Sequence, residues 1–502
     1  MKLKDILYEN EYECENPSAD VLEISNITRK IEEIDSGSLF FLLKSINSEC
    51  ENIINNIKEM RPLAVVCEKG RAIEDKDLCV LYVENVRCAM AYAYSRFSNI
   101  DYGKTKFIAV TGTNGKTTTA TLIKELLRSN GENVGFIGTG RIEINGEKIS
   151  EDYYSMTTPD PELLYPAISK MQNAGCRYIV MEASSHALYF DKLAPIPYEI
   201  GIFTNLSSEH LDFHKNLEAY YESKLKLFSQ CKTGIFNCDD KYSRRALCTR
   251  MGKTESVGIL WPADAVAREI TQKGFLGTEY IYKEKSLIFR VKTRLVGAYN
   301  VYNTLFALKA VILLGMKPCR AKSALEKIES IRGRFDVSIS DITVIRDYAH
   351  TPVAFENLLK TAKALKKTRQ KITVVFGCGG ERDKTKRPVM GGVAEKYSDF
   401  SIVTADNSRS EPESEIISDI LKGYKNTEKR IVINDRKKAI EYAVINALPD
   451  DIVIISGKGD ENYIIDKSGV HPFSEKQIIK DSLAKRERRE VYDENKLENS
   501  PD

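Results

Sequence analysis

The sequence has no stretch approaching the roughly 20 consecutive apolar residues that a membrane helix needs, and its first residues, "MKLKDILYENEYECENP", are acidic with no long apolar segment. Export and membrane insertion are therefore not expected, and a cytoplasmic protein is. An excess of charge of one sign is missing too. Lys and Arg total 74 against 72 Asp and Glu, a net charge of +2, so no global field favours nucleic acid or an anionic membrane. Any anion has to be met by local groups. The eleven cysteines, scattered from Cys14 to Cys378, include no CxxC pair. An odd, dispersed set argues against a disulfide framework and a zinc ribbon and fits a reducing compartment. No repeat of solenoid type is present either.

What is present is ample apolar material, 42% of 502 residues, enough for two to four domains. Residues 1–100 alternate short β-type runs ("SLFFLL", "LAVVCEKG", "LCVLYV") with helical stretches and end in "VRCAMAYAYSRFSN". A second unit, 101–332, opens on "KFIAVTGTNGKTTT" and closes after the helical run "NVYNTLFALKAVILLG", with Gly315 as a C-terminal cap. A third, 333–490, repeats strand signals at "ITVIRDYAH", "KITVVFGCGG", "DFSIVTADNS", "RIVIND" and "DIVIISGKGD". Buried strands alternating with helices predict an α/β protein of three domains, with a central P-loop ATPase-like domain and a C-terminal Rossmann-like domain. Residues 491–502 are charged and expected to be a disordered tail.

"VTGTNGKTTT" lies between an apolar strand and a helical run. Gly112 and Gly115 let backbone N–H groups approach phosphate oxygens, Lys116 neutralises charge, and Thr117 offers a hydroxyl to magnesium. The spacing G-x-x-G-K-T is shorter than the general form, but strand, loop and helix fall in the required order, so nucleotide binding is expected. In "VMEASSHAL" a carboxylate, Glu182, follows a strand, and in "SSEHLDFH" His210 and His214 stand four apart. On a helix such a pair would suit zinc, but the accompanying glutamate of a zinc hydrolase is absent. "RDYAHTP" puts Asp347 and His350 at a strand end, and "GCGGERDKTKRP" packs glycines among Arg382, Lys384, Lys386 and Arg387. That cluster reads either as a tight turn with a solvated face or as a seat for an anionic substrate.

Taken together, "TGTNGKTTT", "TTPD", "EASSHAL", "FTNLSSEHLDFH", "YYESKLKLF", "GAYNVYN", "GRFD", "DYAHTP", "GCGGERDKTKRP", "DNSR" and "GKGDE" resemble the Mur ligases, in order from about residue 107 to 480. The family consists of ATP-dependent amino-acid ligases of peptidoglycan synthesis. The resemblance implies ATP and Mg²⁺ as cofactors and, as partners, UDP-N-acetylmuramoyl dipeptide and meso-diaminopimelate or L-lysine. It implies a monomer without nucleic acid. Gly112, Thr113, Asn114, Gly115, Lys116, Thr117, Thr118, Asn300, Asn303, Arg334 and Asp347 would face ATP. Thr117, Glu182, His210 and Lys224 would hold the metal, Lys224 as the carbamate that the family forms; by residue type alone Lys224 reads as a solvated helical lysine. Lys116, Lys224 and His210 form the implied catalytic set.

Thr28, Thr157, Thr158, Ser184 and Lys192 would hold the UDP-linked acceptor, and Arg382, Asn407, Arg409, Gly457 and Glu461 the incoming amino acid. Three positions depart from the family pattern: Lys192 for Arg, Ser408 for Pro and Asp460 for His. A Mur-like paralogue acting on another carboxylate, and a nucleotide-binding regulator without ligase chemistry, are the alternatives. Arg409 favours diaminopimelate over lysine, because a guanidinium binds the second carboxylate through two parallel hydrogen bonds.

Overall fold

The computed structural model describes the backbone of residues 1–502 apart from 8–10, 17, 44–49, 71–72, 74, 76, 150–155 and 499–502, and in addition the side chains of 50–52, 211–212 and 489–498 lie outside the description. The fold is α/β with three domains, each organised on its own sheet. The first sheet has five strands. Asn26–Thr28, Ser38–Phe41, Ala64–Glu68 and Val80–Val83 run parallel, and Tyr12–Glu13 pairs antiparallel at one edge.

The second sheet has eleven strands with Lys106–Thr111 near its middle, between Tyr198–Phe203 and Tyr178–Glu182 and parallel to both. Phe107, Ile108, Ala109 and Val110 are fully buried. That is the signature of a strand covered on both faces by helices, and it explains why the run is continuously apolar. Burying each larger side chain contributes about 1.5–3 kcal/mol. At the edges the sheet turns antiparallel through Ala265–Gln272, Thr278–Glu284 and Leu287–Thr293. Thr278–Glu284 and Leu287–Thr293 alternate more and less buried residues, as strands with one solvated face do.

The third sheet orders its strands as Asp336–Ile339, Thr343–Asp347, Ile452–Ser456, Ile372–Phe376, Phe400–Val403 and Arg430–Val432; the last five are parallel. All five strand signals expected here form strands. Helix Ala298–Leu313 ends with Gly315 at φ +94°, the left-handed conformation of a C-terminal cap.

The tail expected to be disordered from residue 491 is instead helical through Glu498, as the end of a helix running Glu475–Glu498; residues 499–502 lie outside the described residues. "AKRERREVYDENKLE" is poor in apolar residues, which argues against a core but not against a helix. It contains no Gly or Pro and is rich in Lys, Arg and Glu, all good helix formers. The start of this helix is docked by a fully buried ion pair, Arg436 to Glu475, while Arg436 also donates to the carbonyls of Ala405 and Ser456. Further along, Arg486 donates to the carbonyls of Val444, Ile445 and Ala447 at the end of helix Arg436–Asn446.

Removing one member of a buried pair leaves an uncompensated charge, so Glu475→Ala is expected to lower the unfolding free energy by about 3–5 kcal/mol. Urea unfolding followed by circular dichroism checks this; a midpoint equal to that of the parent protein contradicts it.

Candidate functional site

The loop after Lys106–Thr111 needs its glycines. Gly112 has φ +141° and a Cβ there would stand 2.0 Å from Thr204 Oγ1; Gly115 has φ +85° and a Cβ would meet Asn303 Oδ1 at 2.6 Å. Residues 204–207 hold the loop from the side. Thr113 N donates to Asn205 O (2.9 Å), Asn114 N to Asn205 Oδ1 (3.0 Å), and Asn205 Nδ2 (3.0 Å) and Thr204 Oγ1 (2.7 Å) both donate to Asn114 O. Ser207 N donates to Thr113 Oγ1 at 3.0 Å. The following helix, Lys116–Ser129, begins at Gly115, so its first N–H groups and dipole face the loop. Lys116 Nζ curls back to donate to the carbonyls of Gly112 (2.9 Å) and Thr113 (2.8 Å). Burial lowers its pKa, with Glu209 and Glu182 opposing.

Beside the loop, Glu182 at the end of Tyr178–Glu182 is fully buried. Its carboxylate accepts from Thr117 Oγ1 (2.8 Å) and Thr139 N (3.0 Å), and Arg334 Nη2 donates to Thr117 Oγ1 (3.0 Å). His210 has φ +56°, a left-handed conformation costly for a non-glycine residue. Burial pulls its pKa down to about 4, so it is neutral at pH 7 with a lone pair available for ligation. Glu209 lies 3.8 Å from His210 Nε2 and 3.4 Å from His350 Nε2. Burial would raise its pKa, but the hydrogen bond from His350, the His210 and His350 rings when protonated, and the charge of Lys116 hold it below the usual carboxylate range.

Lys224, on helix Leu217–Ser229, is not the solvated lysine its residue type suggests. It is 1% exposed and donates to Gly112 O at 2.9 Å. Burial, with Lys116 nearby, lowers its pKa well below the ordinary lysine value. A buried lysine so shifted spends more time as the neutral, nucleophilic amine.

The zinc reading of His210 and His214 fails. His210 precedes helix Leu211–His214, and His214 is engaged by hydroxyls, with Ser185 Oγ 3.0 Å from Nε2 and Ser223 Oγ 3.4 Å from Nδ1. Among the described residues no group of three or more His, Cys, Asp or Glu could hold a metal ion. Thr117, Glu182 and His210 nevertheless line one cavity. A hydroxyl, a carboxylate and a neutral imidazole, with water completing the shell, suit a hard divalent cation.

That cavity, about 520 Å³, lies between the carboxyl ends of the strands in the second and third sheets. Thr113 to Thr118 line it, as do Asn300, Asn303, Arg334 and Asp347. Asn300 and Asn303 lie one turn apart and are linked by Asn303 Nδ2 to Asn300 Oδ1 (2.9 Å). Arg334 stacks over the Tyr348 ring at 4.2 Å. Asp347 accepts from Phe335 N (2.6 Å) and Ala349 N (2.7 Å), stapling two loops together, and burial raises its pKa.

On the opposite wall stand Arg382, Asn407, Arg409, Gly457 and Glu461. Arg409 has φ +56° and donates to the carbonyls of Gly380 (2.9 Å) and Asn407 (3.2 Å). Burial and the neighbouring Arg382 lower its pKa. Arg387 does not belong to this wall. It is fully buried and paired with Glu411 (2.7 Å) and Asp419 (3.0 Å), and Lys384 also pairs with Glu411 (3.0 Å). Two of the four cations in "GCGGERDKTKRP" thus serve the fold, because Glu411 and Asp419, distant in sequence, reach them first.

Of the expected acceptor-binding residues, Thr157 lines the cavity and sits 3.2 Å from Thr139 Oγ1. Thr158 donates to Glu182 O and accepts from Ser184 N, and Ser184 caps helix Ser185–Tyr189. Lys192 is paired with Asp160, which Arg29 also reaches at 2.8 Å. Thr28 is not brought to the cavity wall: it is 1% exposed and donates to Glu33 at 2.9 Å. Its strand ends at the seam where the first domain meets the second, and the side chain turns inward there. Residues that sequence reasoning missed are Asn205, Glu209, Tyr348 and Lys458. Asn205 stands in "FTNLSSEH", a stretch read only for its histidines.

Two family descriptions match this chain, the Mur ligase middle domain over residues 110–311 and the Mur ligase glutamate ligase domain over 333–459. The UDP-N-acetylmuramoyl-L-alanyl-D-glutamate--2,6-diaminopimelate ligase 1 of Clostridium acetobutylicum is 38% identical over 490 residues, covering 96% of this chain and 99% of that protein. The corresponding Aquifex aeolicus ligase is 38% identical, covering 93% and 97%. A solved structure of a UDP-N-acetylmuramoyl-L-alanyl-D-glutamate--2,6-diaminopimelate ligase superposes with a TM-score of 0.68 at 27% identity, over 97% of this chain and 99% of that one. A MurF ligase from Thermotoga maritima in complex with ADP shares the fold, with a TM-score of 0.59 at 18% identity and coverage of 94% and 99%.

A histidine held neutral by burial keeps its ring unprotonated well below pH 6.5. In a protein labelled at its five histidines, the His210 resonances are expected to titrate with a midpoint near 4. NMR titration checks this, and a midpoint of about 6.5, the ordinary histidine value, contradicts it.

Proposed function

The chain belongs to the Mur ligase family, and from that membership we propose that it joins meso-diaminopimelate to the D-Glu γ-carboxylate of UDP-N-acetylmuramoyl-L-alanyl-D-glutamate. It is an ATP-dependent acid–amino-acid ligase of peptidoglycan precursor synthesis. The observation that carries the reading is the single cavity in which the phosphate loop faces Arg382, Asn407 and Arg409. Among the described residues no helix is long and apolar enough to cross a membrane. One chain supplies every proposed group, so the reading requires no second subunit. We assign residues 1–100 to the UDP end of the acceptor, 101–332 to ATP and 333–490 to the amino acid.

In this reading the backbone N–H groups of residues 115–117, at the start of the helix, cradle the ATP phosphates, while those of Thr113 and Asn114 stay with Asn205, and Lys116 leaves its own loop carbonyls to neutralise the phosphates. The γ-carboxylate of D-Glu attacks the γ-phosphorus, ADP leaves, and an acyl phosphate forms. The incoming amine then attacks the acyl carbon, and phosphate departs to leave an amide. Mg²⁺ held by Thr117, Glu182 and His210 would offset the repulsion between two approaching anions. Asn300, Asn303 and Arg334 orient the nucleotide from the far side, and closure of the three domains around the cavity keeps water from the acyl phosphate. Lys224, as a neutral amine, would take up CO₂ with loss of a proton, and the resulting carbamate would offer an anionic oxygen as a further ligand for Mg²⁺. That change needs the depressed basicity that burial supplies.

Diaminopimelate rather than lysine is favoured by two guanidiniums in one pocket. Arg382 lies close enough to Arg409 to lower its pKa, and the second carboxylate of diaminopimelate between them would relieve that repulsion, whereas lysine lacks this second carboxylate. The leftover penalty for lysine corresponds to roughly tenfold or greater discrimination.

Phosphate release is expected to require ATP, UDP-N-acetylmuramoyl-L-alanyl-D-glutamate and the amino acid together, with kcat/KM for meso-diaminopimelate at least about tenfold above L-lysine. Arg409→Ala is expected to erase that preference. Release independent of the acceptor contradicts the ligase reading, and a preference for lysine in the parent protein, or one unchanged by the substitution, contradicts the assignment of the amino acid.

A further inference from the structure

Lys458 is a buried charge that the proposed reaction does not use. It follows strand Ile452–Ser456 within Gly457-Lys458-Gly459 and is fully buried. Its Nζ donates to Asn407 Oδ1 at 2.7 Å and lies 3.3 Å from both Asp406 Oδ1 and Glu461 Oε2. All three of its N–H groups therefore have acceptors. Asp406 is held below the usual carboxylate range: burial pushes its pKa up, but the charges of Lys458 and Arg436 outweigh that. A lysine so enclosed cannot reach a ligand, yet all three of its partners, Asp406, Asn407 and Glu461, line the cavity.

The hydrogen bonds at Asn407 give this enclosure a direction. Its Oδ1 accepts from Lys458 Nζ and from Ile465 N (3.0 Å), two donors that leave no doubt which end of the amide is oxygen. Its Nδ2 then faces Glu461, donating at 3.1 Å to the same carboxylate that accepts from Tyr348 OH at 3.2 Å through its other oxygen. Without Lys458 the amide is free to turn over, and Asp406 and Glu461 are left to the field of Arg436, which is itself paired with Glu475.

We propose that Lys458 is the positioning residue of the amino-acid pocket: by fixing the Asn407 amide with its N–H outward and by neutralising Asp406 and Glu461, it sets the pocket to receive a substrate carboxylate. With Arg382 and Arg409, the pocket then counts three cations against two carboxylates. The remaining positive charge matches an amino acid with a second carboxylate. Loss of Lys458 cancels that excess and removes the advantage of the second carboxylate over L-lysine, whose net charge is one unit more positive. This inference rests on the ligase reading above and deepens it.

The test is steady-state kinetics of the full chain with Lys458→Met. The KM for meso-diaminopimelate is expected to rise about tenfold or more while kcat and the KM for ATP stay within about twofold, and the preference over L-lysine is expected to shrink. Lys458→Gln, which keeps a donor for Asn407 but no charge, is expected to recover part of the KM and none of the preference. It also serves if Lys458→Met does not fold. In an Asn407→Ala background, Lys458→Met is expected to add little to the KM. An unchanged KM for the amino acid, or a fall in kcat with equal rises in the KM for ATP and for the amino acid, overturns the positioning role. Absence of turnover in the parent protein overturns the ligase reading instead, so the two failures are distinguishable.

Discussion

The site depends on the clamp between two neighbouring strand ends. Lys106–Thr111 and Tyr198–Phe203 are parallel and, beyond a register shift between Tyr198 and Ile200, pair continuously to Thr111 opposite Phe203. The chain therefore leaves both strands at the same level. Thr204 and Asn205 arrive beside Thr113 and Asn114 and take over their backbone groups. A loop of this kind has N–H and C=O groups that must be satisfied somewhere. Because Asn205 satisfies them laterally, the loop keeps an open face toward the cavity. Gly112 and Gly115 are the residues that such close approach permits.

From that fixed loop the charges around it follow. Lys116 and Lys224 both donate to Gly112 O, so two lysines converge on one carbonyl in a buried region. Neither is comfortable as a full charge there, and burial lowers both pKa values. Glu182 and Glu209 bring negative charge within reach of Lys116, and His210 stays neutral between them. An arrangement of this kind is poised for a polyanion, whose arrival lets the lysines recover their charge. The third domain is tied to the same point by Arg334 on Thr117 and by His350 near Glu209. The pocket proposed for the amino acid is thereby held in line with the loop of residues 112–117.

Much of this was legible in the sequence because buried parallel strands are continuous apolar runs and their carboxyl ends are marked by Gly and polar residues. The phosphate loop, Glu182, Asn300, Asn303, Arg409 and Glu461 all fall at such ends or on the helices facing them, and they meet in one cavity. What was not legible depended on partners remote in the chain. Arg387 looks like a surface cation until Glu411 and Asp419 are brought beside it. Lys224 looks solvated until its helix packs against Gly112. Low hydrophobicity in the tail does not reveal its helix, because helix propensity is independent of core formation. The left-handed backbone at His210 and Arg409 has no sequence signal in residues of those types.

The central claim is that phosphate is passed to the acceptor's carboxylate before the amide forms. Labelling the D-Glu γ-carboxylate of the dipeptide substrate with ¹⁸O and analysing the released phosphate by mass spectrometry tests this directly. The account predicts one ¹⁸O atom in each phosphate released with the amide, because the carboxylate oxygen that attacks phosphorus leaves with it. Phosphate carrying no label, formed at the same rate as the amide, would contradict it.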